Sequence, residues 1–168
     1  MICLRLLTEK EMLGIDSGLC KVIPKCSARG IVLDETGRIG MLYVKESDGY
    51  GLPGGGIEED ESIEEAFLRE IKEEIGCNCE IIRELGYVEQ NHASHNVVYI
   101  SYYFLARLVG EKGKPNYTKE ELNETLSIEW HMPKDALRLL ERNKVESDEM
   151  IFLKESFLTA LREYIKSQ

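Results

Sequence analysis

No stretch of this 168-residue chain approaches the ~20 consecutive apolar residues that a helical membrane span needs. A leader peptide is not expected either. The apolar patch Met1 to Leu7 is interrupted by Arg5 and followed by Thr8, Glu9 and Lys10. It is too short for the apolar region of a signal peptide and lacks a cleavage-site pattern. The expectation is a cytoplasmic protein with no membrane partner. Positive charge is scarce: 21 Lys and Arg stand against 31 Asp and Glu, a formal net charge of −10. Such a chain repels a phosphate backbone, which disfavours general nucleic-acid binding. A small phosphorylated ligand is not excluded, because a bound divalent cation inverts the local field. The five cysteines (Cys3, Cys20, Cys26, Cys77 and Cys79) are odd in number and contain no Cys-x-x-Cys pair. They read as reduced thiols, and Cys77-x-Cys79 is too tight for a structural zinc site. Internal repeats and low-complexity segments are also missing.

What is present suits one domain over residues 1–168 with a single core, residues 1–20 being the hardest part to assign. Thr8-x-x-Glu11 reads either as a capping box for a short helix or as loop. Residues 27–34 and 39–45 read as a hairpin around Glu35-Thr36-Gly37-Arg38. Residues 80–90 and 96–109 read as two further strands joined by the polar segment Asn91 to His95. A polar loop over 110–124 leads to a short strand, 126–131, that ends near Trp130. Pro133 opens a helix through Glu141. Residues 148–165 form an amphipathic helix with Ile151, Phe152, Phe157, Leu158, Leu161 and Ile165 inward. Hairpins interrupted by a few helices predict an α/β sandwich with a mixed sheet, not a doubly wound fold.

The chemistry concentrates in one helix. In residues 60–77, DESIEEAFLREIKEEIGC, Ser62 and Glu65 form a capping box, and Gly76 suits the left-handed stop. Ile63, Phe67, Ile71 and Ile75 give an apolar stripe. Glu70, Glu73 and Glu74, spaced i, i+3 and i+4, share a narrow arc beside that stripe. Alone, they read as a solvated acidic face. At the edge of a buried face, however, three carboxylates repel one another unless a hard cation such as Mg²⁺ or Mn²⁺ joins them. Immediately upstream lies the glycine-rich LPGGGIEEDE, residues 52–61, whose backbone can approach a ligand closely.

Other signals lead nowhere. Gly49-Tyr50-Gly51-Leu52-Pro53-Gly54 fits a dinucleotide fingerprint in letters only, because a proline sits inside it and no helix opens at its end. Gly110 to Lys114 lacks the spacing of a P-loop. His92-x-x-His95 is expected to be solvated or substrate-facing in its loop, not metal-binding. Tyr87, Tyr99, Tyr102 and Tyr103 read as core or sheet surface, with one available to stack on a base.

Gly55, Glu61 and the run Arg69-Glu70-Ile71-x-Glu73-Glu74-x-Gly76 stand at the spacings of the Nudix box over residues 55–77. Cys77 replaces the usual bulky aliphatic residue, a mild departure because a buried cysteine is a small hydrophobe. The chain thus resembles the Nudix hydrolase family. That resemblance implies a Nudix fold, an α/β/α sandwich with a mixed central sheet and a catalytic loop-helix. It implies metal-dependent hydrolysis of a pyrophosphate bond in a nucleoside diphosphate linked to another group, such as ADP-ribose or another nucleotide sugar, or in a nucleoside triphosphate. The alternative is a non-catalytic ligand-binding or sensor module. By the resemblance Glu70, Glu73 and Glu74 bind Mg²⁺ or Mn²⁺, with a carbonyl of Gly54 or Gly55 completing the site, and Glu70 is one candidate general base. Glu61 and Arg69 would support the box as an ion pair. In-line attack also calls for a carboxylate across the cleft; the resemblance implies one about six residues before the tryptophan of the following strand, which is Glu124, with Glu121 behind it. The expected partner is a small nucleotide substrate, and a homodimer is left open.

Overall fold

The computed structural model describes residues 1–110 and 126–168. Glu111, Glu120, Glu121 and Glu124 lie outside the described residues. Among those described, eight strands form one mixed sheet: β1 (Cys3–Thr8), β2 (Lys25–Leu33), β3 (Ile39–Val44), β4 (Gly49–Gly51), β5 (Gly54–Gly56), β6 (Asn78–His92), β7 (Val97–Val109) and β8 (Leu126–His131). The helices are α1 (Glu9–Leu13), α2 (Ile63–Glu74), α3 (Pro133–Arg142) and α4 (Asp148–Lys166). The main path of the sheet is β1-β6-β7-β2-β3-β4, with β5 added to β2 and β8 to β3. Two parallel pairs, β1 with β6 and β2 with β7, sit among antiparallel ones.

Helix α2 covers one face. Phe67, Ile71 and Ile75 pack there with Ala28, Val32, Phe104 and Ala106. Helices α3 and α4 cover the other, where Phe152, Phe157, Leu158 and Leu161 join Ile31, Met41, Leu52 and Tyr103. This is the expected α/β sandwich. The period-2 alternation of β2 serves both layers at once, sending Ala28 and Val32 to α2 and Ile31 to α4. Gly30 has to be small, because a Cβ there would stand 2.6 Å from the Phe104 carbonyl and from the Phe67 ring.

Three features depart from the sequence reading. Residues 3–8 form an edge strand, β1, before the short helix α1, whose Thr8 Oγ1 accepts from the Glu11 N–H. The partner strand β6 lies some eighty residues away in sequence (Leu7 opposite Gln90), and local pattern carries no trace of such pairing. The glycine stretch includes two three-residue strands, β4 and β5, joined to the sheet by backbone bonds rather than by side-chain pattern. Finally, Asn91 and His92 belong to β6 and are buried. His92 packs on Phe152 with ring centroids 4.0 Å apart, so the expectation of a solvated residue is corrected for His92, which lines a cavity of about 360 Å³ beside the sheet. His95 is exposed. No helix among the described residues is long and apolar enough to cross a membrane.

Candidate active site

Ser62 starts α2 with a full capping box: its Oγ accepts from the Glu65 N–H at 3.2 Å, and Glu65 accepts from the Ser62 N–H at 2.9 Å. Gly76, at φ 72°, follows the last turn. The helix is thereby fixed in length and phase. Its carboxylates then face β5, which is itself held on β2 through Ser27–Gly56, Ala28–Gly55 and Arg29–Gly54.

Glu74 is only 7% exposed and accepts the Gly54 N–H at 2.6 Å. Glu70, its side chain 13% exposed, lies directly against Gly55, where any Cβ would collide with its carboxylate. Burial pushes the Glu70 carboxyl above the usual range, and the neighbouring Arg69 guanidinium pulls it part of the way back. Arg69 organises the rest. It grips Glu61 with two N–H groups at 2.8 and 3.0 Å, and it donates to Glu70 at 2.8 Å, to Glu73 at 3.4 Å and to the Gly56 carbonyl at 3.0 Å. The Glu61 carboxyl is lowered chiefly by that hydrogen bond from Arg69. The sequence-predicted residues Gly54, Gly55, Glu61, Arg69, Glu70, Glu73 and Glu74 are therefore brought to one place.

The donors suit a hard divalent cation in chemistry, being carboxylate and carbonyl oxygens with more negative charge than the single Arg69 neutralises. In position they are committed otherwise. Arg69 holds Glu70 and Glu73, Glu74 holds a backbone N–H, and no three acidic, histidine or cysteine side chains among the described residues converge on one point.

Two cavities flank this loop on the α4 side. One, of about 360 Å³, is lined by Lys25, Ser27, Arg29, Gln90, Tyr99 and Ser101, and it reaches Gly56. The other, of about 630 Å³, runs along Gly49, Tyr50 and Gly51 toward Asn143 and Ser147. Arg29 lines both and donates to the Gly54 carbonyl at 2.6 Å. Sequence reasoning passed over Arg29 and Gln90. The available signal was a lone arginine between two small residues in the apolar run SARGIVL, on an inward position.

A sequence profile of the NUDIX domain matches residues 24–153, most of the chain and all of the box. Nudix hydrolase 4 of Arabidopsis thaliana is 40% identical over 80 residues, covering 46% of this chain and 38% of that protein. The 8-oxo-dGDP phosphatase NUDT18 of Mus musculus is 35% identical over 104 residues, covering 60% of this chain and 30% of that protein. The chain thus spans well under half the length of these relatives. A NUDIX hydrolase from Nitrosomonas europaea superposes with a TM-score of 0.66 at 14% identity, over 86% of this chain and 90% of its own, a likeness of fold. With the box assembled against its glycine strand and the profile spanning both layers of the sandwich, the chain belongs to the NUDIX domain family.

Proposed function

We propose that this protein is a divalent-cation-dependent pyrophosphohydrolase acting on a nucleoside diphosphate linked to a further group, or on a nucleoside triphosphate. The observation that carries this reading is the burial of Glu70 and Glu74 against the glycine strand, beside cavities large enough for a small ligand. Buried carboxylates with a raised member, set beside ligand-sized cavities, are characteristic of functional sites. A relative whose name records action on 8-oxo-dGDP supports a nucleotide substrate.

Glu70, Glu73 and Glu74, with the Gly54 or Gly55 carbonyl, would hold Mg²⁺ or Mn²⁺, which supplies charge neutralisation at the phosphates and a more acidic water. The remaining work falls to the chain. Arg69 and Glu61 fix the loop to the helix. Glu74 sets the position of Gly54 through its N–H. Glu70, raised by burial, is a stronger base than an exposed carboxylate and is proposed to accept a proton from attacking water. Glu124 is proposed as the carboxylate across the cleft.

A second reading, a ligand-binding module without turnover, draws on the engagement of Glu70 and Glu73 by Arg69. One assay separates the two. Release of nucleoside monophosphate or phosphate is measured across a panel of nucleoside diphosphate derivatives and triphosphates, with Mg²⁺, with Mn²⁺ and with EDTA. The expected result is turnover with either metal and none in chelator, with zinc or calcium substituting poorly. Full activity in EDTA sinks the metal-dependent mechanism. Binding without turnover under every condition supports the second reading.

A further inference from the structure

Arg29 is the unusual residue on the α4 face. Seven other arginines among the described residues (Arg5, Arg38, Arg69, Arg83, Arg107, Arg138 and Arg162) donate to a carboxylate or to another side chain. In a chain with ten more acids than bases, that is the ordinary outcome. Arg29 instead gives one N–H to a backbone carbonyl, that of Gly54, and lays its guanidinium over the Phe157 ring at 5.5 Å. Its Nε is buried without a hydrogen-bond partner among the described residues. Leaving a buried donor unmade is costly, and a guanidinium presents five of them in a planar fork that matches phosphate oxygens.

The position of that fork is specific. Arg29 is opposite Gly54 in the β2–β5 ladder, one residue from the Gly55 against which Glu70 rests, and it stands on the wall shared by the two cavities. The smaller cavity has a polar wall. Gln90 is 4% exposed and Ser101 is 2% exposed, and Ser27 donates to Ser101 at 3.1 Å. Gln90 offers both a donor and an acceptor, which is what the edge of a base requires, and Tyr99 adds an aromatic face. The larger cavity mixes the aliphatic Leu42, Val44 and Val145 with the charged Glu46, Lys144 and Glu146.

We infer that Arg29 binds the substrate's diphosphate at the junction of the two cavities, so that the nucleoside enters the pocket of Gln90, Ser101 and Tyr99 while the group beyond the diphosphate lies toward Gly49–Gly51 and Asn143–Ser147. The inference rests on the pyrophosphohydrolase reading for its substrate class, but its test does not need turnover. Ser27, Arg29 and Ile31 alternate onto one strand face, so the nucleoside pocket and the phosphate fork sit side by side on the same strand. A diphosphate over Arg29 would thus arrive beside Glu70 without any movement of the sheet.

Titration calorimetry with Mg²⁺ and two non-hydrolysable probes tests this: methylenediphosphonate, which has no arms, and α,β-methylene-ADP. Arg29→Met should weaken both at least tenfold, and Arg29→Lys should fall between it and the parent. Gln90→Ala should weaken only the nucleotide, at least fivefold. Arg107→Met, which removes an exposed pair with Glu80, serves as a control and should change neither. Thermal melts of each variant establish that it is folded. Unchanged affinity of folded Arg29→Met for both probes overturns the phosphate assignment. A Gln90→Ala variant that binds α,β-methylene-ADP like the parent overturns the placement of the nucleoside. No binding of either probe by the parent protein overturns the inference whatever the hydrolysis panel gives, and the absence of hydrolysis with binding intact overturns only the catalytic reading.

Discussion

Replacing Gly55 by alanine perturbs the site at the point where helix and glycine strand touch. A Cβ at residue 55 would fall 2.5 Å from the Glu70 carboxyl carbon and 2.7 Å from its Oε2. Non-bonded heavy atoms prefer separations of about 3.5–4.0 Å, so the carboxylate has to retreat by roughly 1 Å. It can do so because it is the end of a flexible side chain, and φ at Gly55 is not positive, so the backbone itself need not change. The retreat breaks or lengthens the 2.8 Å bond from Arg69, a charge-assisted hydrogen bond of the kind worth about 1.5–3 kcal/mol. Part of that loss is offset, since Glu70 gains solvent and its burial was unfavourable to the charged form. The expected net cost is about 1–2 kcal/mol, or about 3–6 °C in Tm for a chain of this size. The catalytic cost should be much larger, because a 1 Å misplacement of a reacting group can lower the rate about 100-fold. Calorimetric melts and steady-state kinetics on the best substrate of the panel provide the readout. Gly56→Ala is the stability control: a Cβ there meets nothing within 4 Å, and Tm should stay within about 1 °C. A Gly55→Ala variant with kcat within threefold of the parent would refute the placement of Glu70 at the reacting centre.

Four further outcomes are expected. Glu74→Gln retains an acceptor for the Gly54 N–H but loses its charge, so kcat should fall at least 100-fold with Tm little changed; near-normal kcat at saturating metal would remove Glu74 as a ligand. Arg69→Ala strips the shared cation from Glu61, Glu70 and Glu73 and should lower both Tm and activity, and an unchanged melt would show that the clasp is not structural. Glu124→Gln should lower kcat at least tenfold with KM little changed; a collapse in Glu121→Gln instead would transfer the role, and normal kinetics in both would take this segment out of the mechanism. Glu9 accepts from Ser17 and Ser94, and these bonds hold its carboxyl below the ordinary value. Its stabilisation is therefore complete above the unfolded carboxylate value of about 4.3 and is lost as pH falls through the lower folded value. Protection of the Ser94 amide, taken relative to its intrinsic exchange rate at each pH, should fall on acidification below about pH 4 but not in Glu9→Gln, and equal acid sensitivity in both would reject this linkage.

The sequence alone determined the helix of the box and the order of its functional groups. Ser62, Gly76 and the stripe of Phe67, Ile71 and Ile75 act through local hydrogen bonds and a fixed 3.6-residue period, so the common arc of Glu70, Glu73 and Glu74 follows from spacing. The α4 core residues Phe152, Phe157, Leu158 and Leu161 were legible for the same reason. Tertiary structure decided what those groups meet. That Glu70 rests on Gly55, that Glu74 holds Gly54, and that Arg29 reaches the same loop all depend on β5 pairing with β2, a contact between residues more than twenty positions apart. His92 shows the limit most directly. Its neighbours in sequence are polar, but burial was settled by α4 bringing Phe152 onto its ring from sixty residues away, a long-range packing event that no local pattern encodes.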